Sequence, residues 1–455
     1  MTNVIKLRKG LNINLKGKAK STCQAIKLSR EYGLIPDGFE GITPKVVVNV
    51  GDRIMAGDAL FVNKKSPEVK FASPVSGVVA TVERGERRKV LCVKIEADET
   101  IQYHDYGKHN LAEMNGDDVK HLLLDAGLFG YINQLPYAIS TTPDATPKGI
   151  FVSALRDMPL AADFEVELKG NENDFQTGLT ALSKIAQTHL GIGASQNAEA
   201  LRNAKDVDIT VFDGPCPAGN VGVQINHISP VNKGEIVWTV DPSAVIFFGR
   251  LLNTGKVDLR RKIALAGSMV NDPQYYEVII GTPIVDLVGG KIKSDNRPRI
   301  INGNPLTGKK IESGATTQTQ YLLPHASEVT VIPEGNEADE MLGWAMPRAN
   351  MFSTHHSYLS WLFGKKREYD IDARVKGGER HMIMSGEYDK VLPMDIYGEY
   401  LIKAIIAGDI DRQEQLGIYE VSPEDFALAE FVDSSKLELQ HIVRQGLNTL
   451  RKENE

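Results

Sequence analysis

The chain has 455 residues, of which 42% are hydrophobic and 24% are charged, a composition typical of a globular protein too long for one hydrophobic core. Its net charge of −7 provides no attraction to nucleic-acid phosphates, so we exclude nucleic acid as a partner. Its three cysteines, Cys23, Cys92 and Cys216, form no C-x-x-C pair, which argues against a four-cysteine iron–sulfur or zinc site and favours a reducing compartment.

Residues 1–100 are predicted to form an all-β domain. Between residues 50 and 82, glycine turns separate short apolar runs in VGDRIMAGDALF and KFASPVSGVVATV. These halves resemble the small domain that carries biotin or lipoate on a hairpin lysine, eight residues before the proline of the second turn, here Pro74. That position is Ser66, whose backbone is restricted by Pro67. The sequence therefore predicts a barrel-sandwich (biotinyl/lipoyl-like) domain without the carrier lysine.

Residues 101–257 alternate between strand and helix patterns. Such alternation is typical of parallel β-α-β units, so we predict a Rossmann-like parallel-sheet domain. The predicted elements are strands at 149–155, 206–214 and 235–240, and helices at 174–190 and 243–255.

Residues 258–332 return to short strands, since RKIALAG and YYEVIIGTPIVDLV flank an Asn-Asp-Pro turn, and we predict a β-grasp (SLBB-like) domain there. Residues 333–455 carry helical stretches, with Ser422 and Ser435 as predicted helix caps. The predicted fold class is therefore a multidomain combination of α+β and α/β, ending in a C-terminal helical domain.

Three short motifs carry no chemistry on this interpretation. GNPLTGKK (303–310) resembles a phosphate-binding loop but has Lys310 where magnesium binding needs Ser or Thr, so it indicates a glycine-rich hairpin. GIGASQ (191–196) begins like a dinucleotide fingerprint, but it follows a predicted helix and has Gln196 in place of the third glycine. The adjacent histidine pair at 355–356 lacks metal-ligand spacing. We therefore assign no catalytic, cofactor-binding or metal-binding residues.

Two segments have alternative interpretations. The loop DGPCPAGNVGVQINHISP (213–230), which includes His227, leaves the end of a predicted parallel strand, where α/β domains place ligands. It is either a packed structural loop or the wall of a pocket or partner surface. GKKR (364–367) follows the aromatic segment SYLSWLF (357–363) and is either a solvated turn or a docking edge for acidic lipid heads or a partner.

Several ordered segments together resemble one family. They are VGDRIMAGDALF, KFASPVSGVVATVERGERRKVLCVKIE, SALRDMPLAAD, DGPCPAGNVGVQI, VWTVDPSAVIFFGRLLNTG and LGIYEVSPEDFALAEFV. With them the chain is similar, from Ile5 to about Leu450, to the NqrA family of the sodium-translocating NADH:quinone reductases. The resemblance implies a peripheral subunit on the cytoplasmic side of a bacterial inner membrane. Its complex would pass electrons from NADH to ubiquinone or menaquinone and export sodium.

In that family other subunits hold the flavins, the iron centres and the sodium path. The resemblance thus implies no cofactor on this chain, and partners among the integral membrane subunits. Distant relatives, the flavoprotein subunit of complex I and the RnfC protein, bind flavin through a glycine-rich loop and iron–sulfur clusters through C-terminal cysteines. The corresponding loop here, AGLFGYINQLPYAI (126–139), is bulky, and residues 351–455 contain no cysteine.

We favour a cofactor-free subunit, not catalytic by itself, over an independent flavin or NADH oxidoreductase and over a biotin or lipoate carrier. The alternative within the favoured interpretation is a subunit with its own quinone pocket, in which Phe129, Tyr131 and Tyr137 stack on the quinone ring and His227 joins the site. Otherwise the aromatic residues fill the space of a lost flavin.

Overall fold

The computed structural model describes residues 3–294, 297–311, 320–336, 346, 348–354, 358–364 and 367–454. The histidine pair at 355–356 and the lysines at 365–366 lie outside the described residues. Within these ranges the chain forms four sheets and a C-terminal group of helices.

The segment before residue 100 is all-β, as predicted. Strands β3 to β9 build two small sheets, in the orders β3-β9-β8-β5 and β4-β6-β7. Their inward side chains, including Leu60, Phe71, Val79 and Ile95, are fully buried in one hydrophobic cluster, as alternating strands require. The strands are β1 Asn3–Lys6, β2 Lys20–Ala25, β3 Glu31–Leu34, β4 Pro44–Val46, β5 Arg53–Ile54, β6 Ala59–Asn63, β7 Ser66–Ala72, β8 Gly77–Arg84 and β9 Val90–Ala97.

An α/β region follows. Its strands are β10 Ile132–Leu135, β11 Ile139–Ser140, β12 Ile150–Ser153, β13 Thr188–Gly193, β14 Asp208–Asp213 and β15 Val237–Val240. Its helices are α1 Gly116–Asp125, α2 Phe164–Leu168, α3 Glu172–Ile185, α4 Glu199–Arg202, α5 Val221–Ile228 and α6 Pro242–Thr254. The sheet order is β1-β14-β13-β12-β15-β10-β11, parallel from β1 to β15 and antiparallel at β10 and β11.

Helices α3 and α6 cross at two glycines. A Cβ on Gly249 would lie 1.7 Å from the carbonyl oxygen of Asp174, and a Cβ on Gly178 would lie 2.1 Å from that of Val245. The backbones approach so closely that neither position has room for a side chain.

The next region is a mixed sheet in the order β19-β18-β20-β16-β17-β2. Its further strands are β16 Arg260–Ala266, β17 Gln274–Ile279, β18 Pro298–Asn302, β19 Lys309–Lys310 and β20 Glu328–Pro333, with helix α7 at Ile284–Val288. The sequence predicted strands through PIVDLV, but Pro283 instead precedes the short α7, whose Ile284, Leu287 and Val288 side chains enter the core of this sheet.

The C-terminal helices are α8 Tyr388–Val391, α9 Gly398–Ala407, α10 Ile410–Gln415, α11 Ala427–Val432 and α12 Leu439–Asn454. Ser422 is confirmed as a cap, in a capping box with Asp425. The predicted cap Ser435 was wrong. Its hydroxyl accepts a hydrogen bond from the Ile383 amide, and Glu430 instead accepts from the amide of Gln440 in the first turn of α12.

The N-terminal strands differ from the predicted all-β domain starting at residue 1. Strand β1 pairs with β14 of the α/β sheet, Asn3 opposite Thr210, and β2 pairs with β17 of the mixed sheet. Both complete the edges of distant sheets, a long-range pairing that local alternation does not reveal.

The prediction of one helix through residue 190 was also wrong. Helix α3 ends at Ile185, and THLGIG forms the central strand β13. The two glycines of this strand leave no room for a side chain. A Cβ on Gly191 would lie 1.9 Å from the Gln224 amide oxygen, and a Cβ on Gly193 would lie 2.8 Å from Leu155. GIGASQ therefore begins within strand β13 and continues into the loop after it, and it does not follow a helix. Its Gln196 closes the loop by accepting from the Gly193 amide, at 2.8 Å.

Candidate functional site

A cavity of about 590 Å³ opens at the carboxyl ends of the parallel strands. The chain runs outward from β12 to β13 and β14 and then returns to β15 on the other side of β12. Such a reversal leaves a crevice between neighbouring strand ends, where α/β proteins bind ligands. The lining draws on every region of the chain, with Glu40, Asp157, Asn302 and Arg444 as one example from each.

The strand ends set the inner wall of the cavity. Ser153 ends β12, and its hydroxyl donates to the Gly219 carbonyl at 2.7 Å. Asp157 accepts from the Gly219 amide at 2.9 Å, so the loop after β14 is bound to the loop after β12. Asp241 follows β15 and caps α6 by accepting from the Ser243 amide.

A buried ionic network lies beneath the cavity, and of its members Arg156 and Asp241 reach the lining. The guanidinium of Arg156 contacts Glu167 at 3.0 Å and Asp241 at 3.3 Å. Arg261 lies 3.3 Å from the other oxygen of Glu167. The Ser243 hydroxyl accepts from both arginines, at 2.9 and 2.6 Å, and donates to Glu167 at 2.8 Å. Since Arg261 belongs to the mixed sheet, this network joins it to the α/β region; the Glu167 and Arg261 side chains are only 2% and 1% exposed.

Charge fixes the ionisation of Asp241. Burial alone would raise its pKa, but the positive charges of Arg156 and Arg261 outweigh burial and lower the pKa to about 2. The Asp241 carboxylate therefore stays ionised over the physiological range. It is still 26% exposed at the cavity wall.

Two further acids behave in the opposite way. Burial raises the pKa of Asp157 to about 6, although the Gly219 amide opposes the shift. Glu424 lines the cavity, and desolvation by the surrounding protein together with the charge of Asp425 raises its pKa. Asp425 is itself buried and accepts from Asn220 at 3.3 Å. The Glu424 carboxyl can therefore hold a proton near neutral pH, and the Asp157 carboxyl near pH 6.

His325 lies between the cavity and an aromatic cluster. Its ring centroid is 5.8 Å from that of Phe39 and 5.7 Å from that of Tyr131. Burial lowers its pKa, and Arg261 adds to this while Asp241 opposes it, so the ring is neutral. Neither its Nε2 nor the Tyr131 hydroxyl has a hydrogen-bond partner within the described residues.

The four residues predicted for quinone binding take separate positions. Phe129 is fully buried edge-on against Trp238, and Tyr131 is buried among Phe39, Phe247 and His325. The Tyr137 carbonyl accepts from Arg444 of α12 at 2.8 Å. His227 is exposed on α5, where its Nδ1 lies 2.9 Å from the Val223 carbonyl. None of the four lines the described cavity, and their role stays a prediction.

The predicted loop at 213–230 reaches the cavity only in part. Gly219, Asn220 and Val221 line it, but residues 221–228 form helix α5 and carry His227 away. The sequence patterns did not identify Arg156, Glu167 and Arg261. A signal for the site was present in SALRDMPLAAD and VDPSA, which combine charged residues with strand ends and a helix start.

Among the described residues, no group of three or more His, Cys, Asp or Glu side chains is arranged to hold a metal ion. In the same part of the chain no helix combines the length and apolar character needed to cross a bilayer.

Comparison with known proteins gives consistent matches. Family models match residues 5–98 as the NqrA N-terminal barrel-sandwich hybrid domain, 114–257 as the NqrA second alpha/beta domain, and 262–313 as the NQRA C-terminal domain. The chain is 34% identical to the NqrA protein of the Na(+)-translocating NADH-quinone reductase of Neisseria meningitidis serogroup A and 33% identical to that of Pasteurella multocida, covering 99% of this chain and 100% of each relative. A solved NAD+-reducing [NiFe]-hydrogenase in the H2-reduced state aligns with a TM-score of 0.37 and 14% identity, covering 76% of this chain and 62% of that one.

Proposed function

This chain belongs to the NqrA family of Na(+)-translocating NADH-quinone reductase subunits, and from that premise we propose that it is a peripheral, cofactor-free subunit that supports quinone reduction coupled to Na+ export. We place it on the cytoplasmic side of the bacterial inner membrane, bound to integral membrane subunits. The observation that carries the proposal is 34% identity over 454 residues, which leaves no part of the relative unmatched.

A carrier function is disfavoured by the hairpin between β6 and β7. Ser66, at the position of the carrier lysine, is 8% exposed and pairs with Asn63. Lys64 and Lys65 make the turn between the strands. A modified lysine must extend freely from its hairpin, and a buried serine in a strand cannot take that role.

Flavin binding by the 126–139 loop is disfavoured by packing. A Cβ on Gly130 would lie 2.2 Å from the ring of Phe71, and one on Gly127 would lie 2.8 Å from the amide nitrogen of Ala72. These glycines therefore admit the neighbouring strand β7. They do not leave open backbone for a phosphate to approach.

The charge of the cavity also disfavours a phosphate-bearing cofactor. Its described lining includes six acidic residues, against the three permanently cationic residues Arg156, Lys309 and Arg444. Arg156 is already held by Glu167 and Asp241. Even with Asp157 and Glu424 protonated, four acidic residues face three cationic ones, so the lining offers a flavin phosphate no excess of positive charge.

The finer domain assignments belong to the same proposal. We assign residues 1–100 to the biotinyl/lipoyl-like domain, apart from strands β1 and β2, which complete the other two sheets. We assign 101–257 to a Rossmann-like domain, 258–332 to a β-grasp SLBB-like domain and 333–455 to the helical domain. Parallel pairing of β12 with β13 and β15 supports the Rossmann-like assignment.

Affinity purification of the tagged full chain from native membranes tests the proposal. We expect integral subunits of the reductase to co-purify and the complex to reduce quinone with NADH. The chain purified alone, without oxygen exposure, should show no visible absorbance from flavin or iron–sulfur groups. A stoichiometric bound flavin, or NADH oxidation by the lone chain, would contradict it.

A quinone site on this chain is the second candidate. The supporting observation is the buried hydroxyl of Tyr131, which has no partner among the described residues and which a quinone carbonyl could engage beside the Phe129 segment. Isothermal titration of the full chain with a short-chain soluble quinone tests this. We expect binding heat that is lost in Tyr131→Phe and kept in the surface control Tyr397→Phe, whose side chain is 70% exposed. No heat with the unmodified chain would remove the second candidate.

A further inference from the structure

Large apolar side chains are exposed mainly in the C-terminal part of the described chain. Eleven of the seventeen such residues lie between residues 346 and 406. The densest group is the short 3-10 helix Leu359–Phe363, where Leu359, Trp361, Leu362 and Phe363 are 48–60% exposed. A run this apolar in water marks an interaction surface. We call these four residues the apolar tip.

The apolar tip stands on a fixed base. Ser360, within the same helix, is 1% exposed and faces inward. On one side the Tyr358 hydroxyl accepts from Arg348 at 3.3 Å. On the other side the Tyr369 amide donates to the Asn14 carbonyl at 2.8 Å. The segment is thus hydrogen-bonded on both sides while its four large side chains are about half exposed.

Positive charge adjoins the apolar tip. The guanidinium of Arg367 lies 4.7 Å from the ring centroid of Phe363. In the sequence Arg367 is preceded by two lysines at 365–366, and residues 357–367 contain no Asp or Glu. The first acid after them is Glu368. A sequence in which tryptophan and phenylalanine are followed by lysine and arginine is typical of segments that bind the surface of a bilayer with anionic headgroups.

We propose that the apolar tip docks directly on lipid, its side chains entering the headgroup region of an anionic bilayer while Arg367 contacts lipid phosphate. This rests on the proposed function, since only a membrane-bound complex brings the chain to a bilayer. It adds a contact that the integral subunits do not supply. The other exposed apolar face, Tyr397, Tyr400 and Ile406 around α9, has no comparable basic cluster and is not part of the lipid surface.

Vesicle co-sedimentation of the full chain at low salt tests the proposal. Vesicles of phosphatidylglycerol with phosphatidylethanolamine should bind the chain, and neutral phosphatidylcholine vesicles should bind it more weakly. The triple variant Trp361→Ser/Leu362→Ser/Phe363→Ser should lose at least about tenfold in binding. The matched control Tyr397→Ser/Tyr400→Ser/Ile406→Ser removes equally exposed apolar surface and should bind like the unmodified chain. All three proteins should give the same circular dichroism spectrum.

Tryptophan fluorescence gives an independent readout. Trp361 is 48% exposed, whereas Trp238 is fully buried. The third tryptophan, Trp344, lies outside the described residues, so the measurement uses a Trp344→Phe background. Adding anionic vesicles should shift the emission to shorter wavelength, and brominated lipids should quench it. Adding Trp361→Phe should leave sedimentation with vesicles intact and remove both effects.

The outcomes separate the two levels of the proposal. Equal vesicle binding by the triple variant and the unmodified chain would overturn the lipid contact. If the triple variant, with unchanged vesicle binding, also fails to join the reductase complex, the lipid contact is overturned and the apolar tip contacts protein instead. Failure of the unmodified chain to co-purify with integral subunits would instead count against the proposed function.

Discussion

The ionic network beneath the cavity gives a quantitative prediction. Glu167 is 2% exposed and faces Arg156 at 3.0 Å and Arg261 at 3.3 Å. Glu167→Gln keeps the shape of the side chain but removes its charge. The two buried guanidinium groups then have Asp241 as their remaining counter-charge. Removing one partner of a buried pair costs about 3–5 kcal/mol. We expect a loss of that size in the free energy of unfolding.

A double-mutant cycle isolates the pair. Arg261→Met should also cost about 3–5 kcal/mol, because Glu167 loses one of two cations. The double variant removes both charges, and Arg156 keeps Asp241. It should therefore lose about 3–5 kcal/mol in total and not the sum of the single losses, a coupling of about 3–5 kcal/mol.

The assay is guanidinium unfolding followed by fluorescence, because Trp238 is fully buried in the adjoining sheet. The control is Lys20→Met, which removes a surface pair with Asp272 at 2.6 Å whose side chains are 66% and 60% exposed. We expect about 0–1 kcal/mol for that change. Additive losses in the Glu167 and Arg261 cycle, or a Glu167→Gln effect no larger than the control, would refute the reasoning.

Two further predictions concern packing and pH. Gly249→Ala should force α6 away from α3, because its Cβ would meet the Asp174 carbonyl at 1.7 Å; we expect a loss of about 1–3 kcal/mol or more in thermal unfolding. The control Gly378→Ala has no atom within 4 Å of the added Cβ and should change little. The raised pKa of Asp157, about 6 against 3.8, means that folding takes up a proton between these values, so stability falls as pH rises through this window. Asp157→Asn should flatten that fall; an unchanged stability profile between pH 4 and pH 7 would contradict the shift.

Local signals explain which helices could be predicted from the sequence. Helix α6 was predicted at 243–255 and runs Pro242–Thr254. Its start combines an Asp cap with Pro in the first turn, and Gly255 ends it with φ of 73°. Such signals lie within a few residues of the element that they define, so the sequence reveals them directly.

The site depends instead on distant pairings. Strand β13 was missed because a short central strand rich in glycine has no period of its own, and it exists only between β12 and β14. The ionic network was missed because Arg261, on β16 of the mixed sheet, meets Glu167, which lies on helix α2 of the α/β region. Charged residues acquire a partner only when the fold has placed them.

The pairing of β1 with β14 has a consequence for synthesis on the ribosome. Asn3–Lys6 is made long before its partner strand, which ends at Asp213. At roughly 5–20 residues per second, the nascent strand waits on the order of 10–40 s with an open edge. Strand β2 waits longer, for Gln274–Ile279. Strands β1 and β2 therefore stay unpaired during much of synthesis, and they are the natural points for chaperone protection.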